Sequence, residues 1–333
     1  MNKFPKKILI IRLGAIGDVL HTYKVANSIK QAHPETEIKF LTGKVPAKMI
    51  EFCPDLDEVM IFGKNDYKNV IKTGLSLRKE NFDLIINLQP STKLRLLTFL
   101  TGAEKTLNYK KNPDIHAVKN FFDTVGNEYP ELEFTNELKI TIPEKIFKEV
   151  DPKLPSGNFV VIAPMAGPVR EGKKWRSEYF KALALKIIEE YNVPVIFSGS
   201  SDEKERLAEF ENLHPKTRVI AGEFDILQSA AMFSRATYVI GADTGPLHIA
   251  TATRKPVCIA LYGAMAIYRT GLVGEKNYSV KADNLGCIPC RARYCKVKRG
   301  EFSPCMDAIT PEKVFEIIVK DGALEKFSTH ENL

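Results

Sequence analysis

Short apolar, β-rich runs alternate with helix-like segments, and this alternation passes twice through the 333 residues. In the first half the runs are KILIIRL (7–13), EIKFLT (37–42), EVMIF (58–62) and DLIINLQ (83–89). The clearest helical segment between them starts at Asp18, with Val19, Tyr23, Ala26 and Ile29 or Lys30 on one face at helical spacing. A punctuated stretch, TIPEKIFKEVDPKLPSG (141–157), interrupts the pattern with Pro143, Pro152, Pro155 and Gly157. The alternation then restarts with NFVVIAP (158–164), VPVIFSGS (193–200), RVIAG (218–222), YVIGAD (238–243) and PVCIALYG (256–263). Helices are expected over 178–192, 201–213 and 310–322, the last with Thr310 as N-cap and Pro311 in its first turn. Strands alternating with helices predict parallel sheets. The expected fold class is α/β, with two Rossmann-like domains, 1–150 and 151–325, facing a cleft. Ligands of such sheets bind outside the carboxyl ends of the strands.

Composition narrows the function. The length fits two domains at about 150 residues each. Hydrophobic residues at 44% and charged residues at 27% exclude a disordered chain. Six cysteines in 333 residues exclude a small disulfide scaffold. The net charge of +7 suits anionic ligands or an anionic membrane surface but is too small to point to nucleic acid. The apolar run Ile8–Ile11 is too short for a secretory signal, and no later run reaches the length of a membrane span. The expected location is cytoplasmic, with reduced thiols.

Three blocks carry chemistry. Arg12 to Thr22, RLGAIGDVLHT, follows the first strand and opens the first helix. It is neither a dinucleotide fingerprint nor a Walker loop. Asp18 there reads either as an N-cap or as a general base at the carboxyl edge of the sheet. Gly241 to His248, GADTGPLH, ends a strand and starts a helix. Asp243 and Thr244 read as caps, or Thr244 and Gly245 present backbone N–H groups to an anion, with His248 in the first turn. Ala163 to Trp175, APMAGPVREGKKW, is a Gly/Pro-rich loop ending in a basic pair beside the only tryptophan. Lys173 or Lys174 there is placed to neutralise a diphosphate, or the loop is simply a solvated basic turn over Trp175. The D-x-D at Asp55–Asp57 follows Pro54 and precedes a strand, so it reads as a turn rather than a metal site.

Four cysteines cluster as Cys287-x2-Cys290-x4-Cys295-x9-Cys305. They read as a structural metal site, as reduced structural thiols, or as a disulfide. The basic segment 291–300 holds Arg291, Arg293, Lys296, Lys298 and Arg299 without an acid. It reads as a solvated loop, or as a lid touching acceptor phosphates or the anionic membrane face.

The three blocks, in this order, resemble glycosyltransferase family 9, the ADP-heptose:lipopolysaccharide heptosyltransferases. The resemblance extends to DLIINLQ (83–89), to ADTGPLHIATA, and to the trailing C-x-P-C and C-M-x-A-I-T-P-E-x-V segments. It implies a GT-B fold whose N-terminal domain binds a lipid-linked anionic oligosaccharide acceptor and whose C-terminal domain binds an ADP-sugar donor. It implies that Asp18 is the base of an inverting transfer that needs no cofactor. It places Lys173, Asp243, Thr244, Gly245 and His248 at the donor. Gly199 and Glu203 are candidates for the ribose and Phe224 for the base. Lys93, Arg95 and Lys24 are candidates for the acceptor, and Lys24 stands where the family often has proline. A transient contact with the inner-membrane surface follows from such an acceptor. Two other readings stay open: a related transferase with another sugar or acceptor, and a non-catalytic nucleotide-sugar or dinucleotide binder. A dehydrogenase is disfavoured, because neither half carries G-x-G-x-x-G after its first strand.

Overall fold

The computed structural model describes residues 3–134, 138–165, 171–274, 276–283, 285–290, 292, 294–297 and 302–325. The chain divides after Pro143 into two units. The first contains β1 (Lys7–Ile11), α1 (Ile16–Ala32), β2 (Glu37–Thr42), α2 (Lys44–Ile50), β3 (Glu58–Ile61), α3 (Tyr67–Leu77), β4 (Leu84–Asn87), α4 (Thr92–Thr101), β5 (Lys105–Asn108) and α5 (Ala117–Gly126). Its parallel strands lie in the order β3-β2-β1-β4-β5. Ile8 pairs with Ile38 on one side and with Leu84 on the other. The central strands are buried on both faces, which is why they read as continuous apolar runs rather than alternating ones. The chain moves outward from β1 to β3, then crosses back to β4 and β5. Right-handed crossovers therefore put α1 and α2 on one face and α3 and α4 on the other. Leu9, Ile11 and Ile85 pack beneath α3 and α4, against Val70, Leu94 and Leu97.

The second unit contains α6 (Glu144–Val150), β6 (Val160–Ala163), α7 (Ser177–Tyr191), β7 (Val195–Gly199), α8 (Lys204–Leu207), β8 (Thr217–Ala221), α9 (Ile226–Arg235), β9 (Tyr238–Ala242), α10 (Gly245–Thr253), β10 (Val257–Tyr262), α11 (Ile267–Thr270), β11 (Asn277–Lys281), α12 (Pro304–Asp307) and α13 (Pro311–Asp321). Its strand order is β11-β10-β9-β6-β7-β8, again parallel. The division falls ahead of the expected 150/151 boundary because α6 packs on α9. Trp175 sits in the core with its Nε1 donating to Ile309 O at 2.6 Å.

Thr310 caps α13, its Oγ1 accepting from Lys313 N at 3.4 Å. The expected helix over 201–213 is broken, with a four-residue α8 between two 3₁₀ turns. Strands β5 and β11 were not expected. Both are sheet edges, and their sequences, KTLN and NYSVK, lack a continuous apolar run. Among the described residues no helix is long and apolar enough to cross a membrane.

Candidate functional site

Each sheet has one point where its strand order reverses, and each reversal carries one of the charged blocks. In open α/β sheets this is where ligands bind. In the first unit the reversal lies between β1 and β4. Arg12 closes β1 and is almost wholly buried. Its Nη1 donates to Leu88 O at 2.7 Å and its Nε to Gly14 O at 3.0 Å, and its plane lies over the Phe121 ring at 5.1 Å. The remaining nitrogen, Nη2, is hydrogen-bonded to Asp18 Oδ2. The backbone carbonyls and the ring fix the guanidinium, and the guanidinium fixes the carboxylate. Asp18 is not the cap of α1. That position is Ala15, with no side-chain capping bond. The Asp18 side chain keeps 39% of its surface open, so the carboxylate is both held and reachable.

In the second unit the reversal lies between β6 and β9. Lys173, on the segment after β6, reaches Asp243 at the end of β9. Its Nζ donates to Asp243 O and, at 3.0 Å, to Asp243 Oδ2. The other carboxylate oxygen meets His248 Nε2 at 3.1 Å, and Thr270 Oγ1 lies 3.4 Å from Oδ2. Asp243 is 3% exposed. Burial opposes its charge, but the hydrogen bond from His248 and the Lys173 ammonium outweigh it and hold the carboxyl at about 2. With Asp243 ionised, His248 Nε2 is the donor. Asp243 thus aligns a cation and an imidazole at the entry to α10. Thr244 is the N-cap of α10, but its hydroxyl donates to Ala242 O at 3.2 Å instead of capping. The first turn therefore presents backbone N–H groups beside Lys173, an arrangement suited to an anion. Helix α11, which carries Thr270, also borders a cavity of about 740 Å³ lined by Tyr262, Tyr268 and Lys281. Residues 166–170 of the loop after β6 lie outside the described residues.

The other expected contacts fare differently. Gly199 ends β7 as expected, but Glu203 closes a capping box, accepting from Ser200 N at 2.9 Å and Ser200 Oγ at 3.0 Å. Its carboxylate is engaged by its own turn. Phe224 is buried, with Lys153 Nζ over its ring at 5.6 Å, and does not present an open face for a base. Lys24 is 2% exposed inside α1, because this helix is packed on several sides, and it does not offer its ammonium to solvent. Lys93 and Arg95 stand on α4, with Lys93 Nζ donating to Asn65 O at 2.9 Å and Arg95 exposed. Both carboxylates of the D-x-D are taken up by the fold. Asp55 accepts from Tyr23 and Asn27, and Asp57 from Ile38 N and Lys30.

All six cysteines are free thiols. Cys287, Cys290, Cys295 and Cys305 line one cavity of about 250 Å³. Burial pushes Cys305 up to about 11, helped by the nearby Cys295 and Cys287 sulfurs. Among the described residues no three His, Cys, Asp or Glu side chains are arranged to hold a metal ion. Of the basic segment beside them, Arg291, Arg293, Lys298 and Arg299 lie outside the described residues, and Lys296 is exposed.

The sequence model of glycosyltransferase family 9 (heptosyltransferase) matches residues 104–300, well over half of the chain. The chain belongs to glycosyltransferase family 9. The matched span includes Lys173, Asp243 and His248, while Asp18 precedes it. The lipopolysaccharide core heptosyltransferase OpsX of Haemophilus influenzae is 26% identical over 282 residues, covering 78% of this chain and 79% of that protein. Two solved structures share the fold at 18% identity. A family 9 glycosyltransferase from Veillonella parvula superposes with a TM-score of 0.80, covering 95% of this chain and 96% of the other. The ADP-heptose lipopolysaccharide heptosyltransferase II of Escherichia coli superposes at 0.77, covering 94% and 98%. The fold is therefore of GT-B type, two Rossmann-like units. At these two reversals of strand order, residue patterns alone missed two groups. Arg12 was legible only as a lone charge closing an apolar strand. Thr270 gave no signal, because its approach to Asp243 depends on the tertiary fold.

Proposed function

We propose that this family 9 glycosyltransferase transfers heptose from ADP-heptose to the inner core of a lipopolysaccharide acceptor, with inversion at the anomeric carbon. The observation that carries the reading is the Lys173–Asp243–His248 cluster at the N-terminus of α10. It combines a cation, backbone N–H groups and a helix dipole where a diphosphate can sit. The heptosyltransferase relatives supply the donor and acceptor classes.

In this reading the C-terminal unit holds the donor and the N-terminal unit the acceptor. The Asp18 carboxylate takes the proton from an acceptor hydroxyl. That oxygen bonds to the anomeric carbon from the face opposite the diphosphate, and the bond between the anomeric carbon and the diphosphate oxygen breaks. ADP leaves with the electron pair, its charge met by Lys173 and the N–H groups of α10. In this reading these groups do the electrostatic work often given to a divalent cation. Arg12 is a positioning residue that fixes the direction of the Asp18 lone pairs.

The deciding experiment is turnover of ADP-heptose with a truncated lipopolysaccharide acceptor, for the native chain and for Asp18→Asn. Transfer is expected for the native chain, with a loss of about 10²–10⁴ in rate for the variant. Undiminished turnover in Asp18→Asn would remove the base assignment. Transfer from another nucleotide sugar in place of ADP-heptose would keep the family and replace the donor.

A further inference from the structure

Helices α3 and α4 form the outer layer on one face of the first sheet, and their solvent side is unusual in two respects. The first is apolar exposure. Tyr67, Ile71 and Leu75 recur at intervals of four along α3 and are all exposed, and Phe99 on α4 is 80% exposed. A side chain of that size left in water is a cost the fold does not require, because α3 already buries Val70, Gly74 and Leu77 on its other face. The second is charge. From Tyr67 to Lys79 the chain carries Lys68, Lys72, Arg78 and Lys79, and α4 adds Lys93 and Arg95, with no acid in either segment. Helix α13, by contrast, mixes signs, with Glu312, Lys313, Glu316 and Lys320. The acids flanking α3 are engaged. Asp66 caps the helix by accepting from Asn69 N at 2.8 Å, and Glu80 pairs with Lys7 and Lys39.

The two helices run side by side and form one surface. Lys93 Nζ lies 5.0 Å from the Tyr67 ring centroid at their N-terminal ends, and Arg78 lies beside Gly102 at their C-terminal ends. We infer that the α3–α4 face docks on an anionic phospholipid surface. The aromatic and aliphatic side chains would enter the headgroup boundary, while the cations meet lipid phosphates. Lysines on such a face extend along the apolar surface and keep their ammonium groups at the headgroups. A second copy of this chain is disfavoured as the occupant, since a two-fold contact through this face would set six cations against six. The inference does not rest on the transferase reading, because its readout is binding to lipid.

The test is co-sedimentation of the full chain with vesicles of phosphatidylcholine alone and of phosphatidylcholine mixed with phosphatidylglycerol. Binding is expected to the anionic vesicles, to weaken with added salt, and to be far weaker on the neutral ones. Lys68→Glu/Lys72→Glu and, separately, Phe99→Ser should each lower partitioning about tenfold or more. Phe99 is exposed enough that its variant should keep the native unfolding midpoint, and Leu75→Ser provides an independent check on the same face. Failure of the native chain to bind anionic vesicles, equal binding to both compositions, or undiminished binding by folded variants would each overturn the inference. Self-association abolished by Phe99→Ser, without lipid binding, would assign the face to a second copy instead and overturn it too.

Discussion

Asp243 shows how one buried residue can organise its neighbours. Its carboxylate is buried, and its value comes from holding Lys173 and His248 in place. Because its folded pKa lies near 2, below the usual carboxylate value, the unfolded chain takes up a proton first as pH falls. The stability it contributes is fully present above about pH 4 and is lost as the pH falls towards 2, a change of about 2 kcal/mol. Urea unfolding at pH 5 and pH 3 should show that loss in the native chain and a smaller one in Asp243→Asn. An equal acid sensitivity in both would reject the assignment. Residues were legible to different degrees. The blocks around Asp18 and Asp243 stood out because glycine turns and charged groups follow apolar strands. The capping role of Glu203 was legible in Ser200-x-x-Glu203, the signature of a capping box. The burial of Phe224 and Lys24 was not legible, because sequence spacing does not report which face of an element is covered.

Among the elements, the interior strands were readable because burial on both faces demands unbroken apolar runs. The edge strands β5 and β11 meet water on one side and lose that mark. Helix packing was less legible still. Gly74 looks like a weakness in α3, where alanine would favour the helix by about 1 kcal/mol. The structure gives it a purpose. A Cβ at Gly74 would come within 2.8 Å of Leu100 Cβ and 3.1 Å of Leu97 O, so glycine sets how closely α3 and α4 approach. Gly74→Ala is therefore expected to destabilise by about 1–3 kcal/mol, the cost of overpacking, despite its better helix propensity. Denaturant unfolding decides this by sign. A stabilised variant would mean that the helix pair yields easily.

Across the molecule, both reversals of strand order carry charge, and the pairing of β1 with β4 and of β6 with β9 could only be guessed from the order of the runs. The proposed division of labour makes a regional prediction. ADP at about 100 times its dissociation constant should stabilise what it binds by about 2.7 kcal/mol. In hydrogen exchange of the whole chain, the largest protection is expected at residues 171–175 and 242–249. Strongest protection at residues 12–22 would place the nucleotide in the other unit.

The strands of each sheet come from one uninterrupted half of the sequence, the first ending at Pro143. During synthesis, all the residues of the first sheet have emerged before the second unit exists. At about 5–20 residues per second, the ribosome needs about 10–40 s to add the 190 residues from 144 to 333. Within that interval the first unit can finish its core, expose its α3–α4 face and set the Arg12–Asp18 pair. If that face binds lipid as inferred above, the nascent chain reaches a bilayer while still attached to the ribosome, and its second half is delivered there.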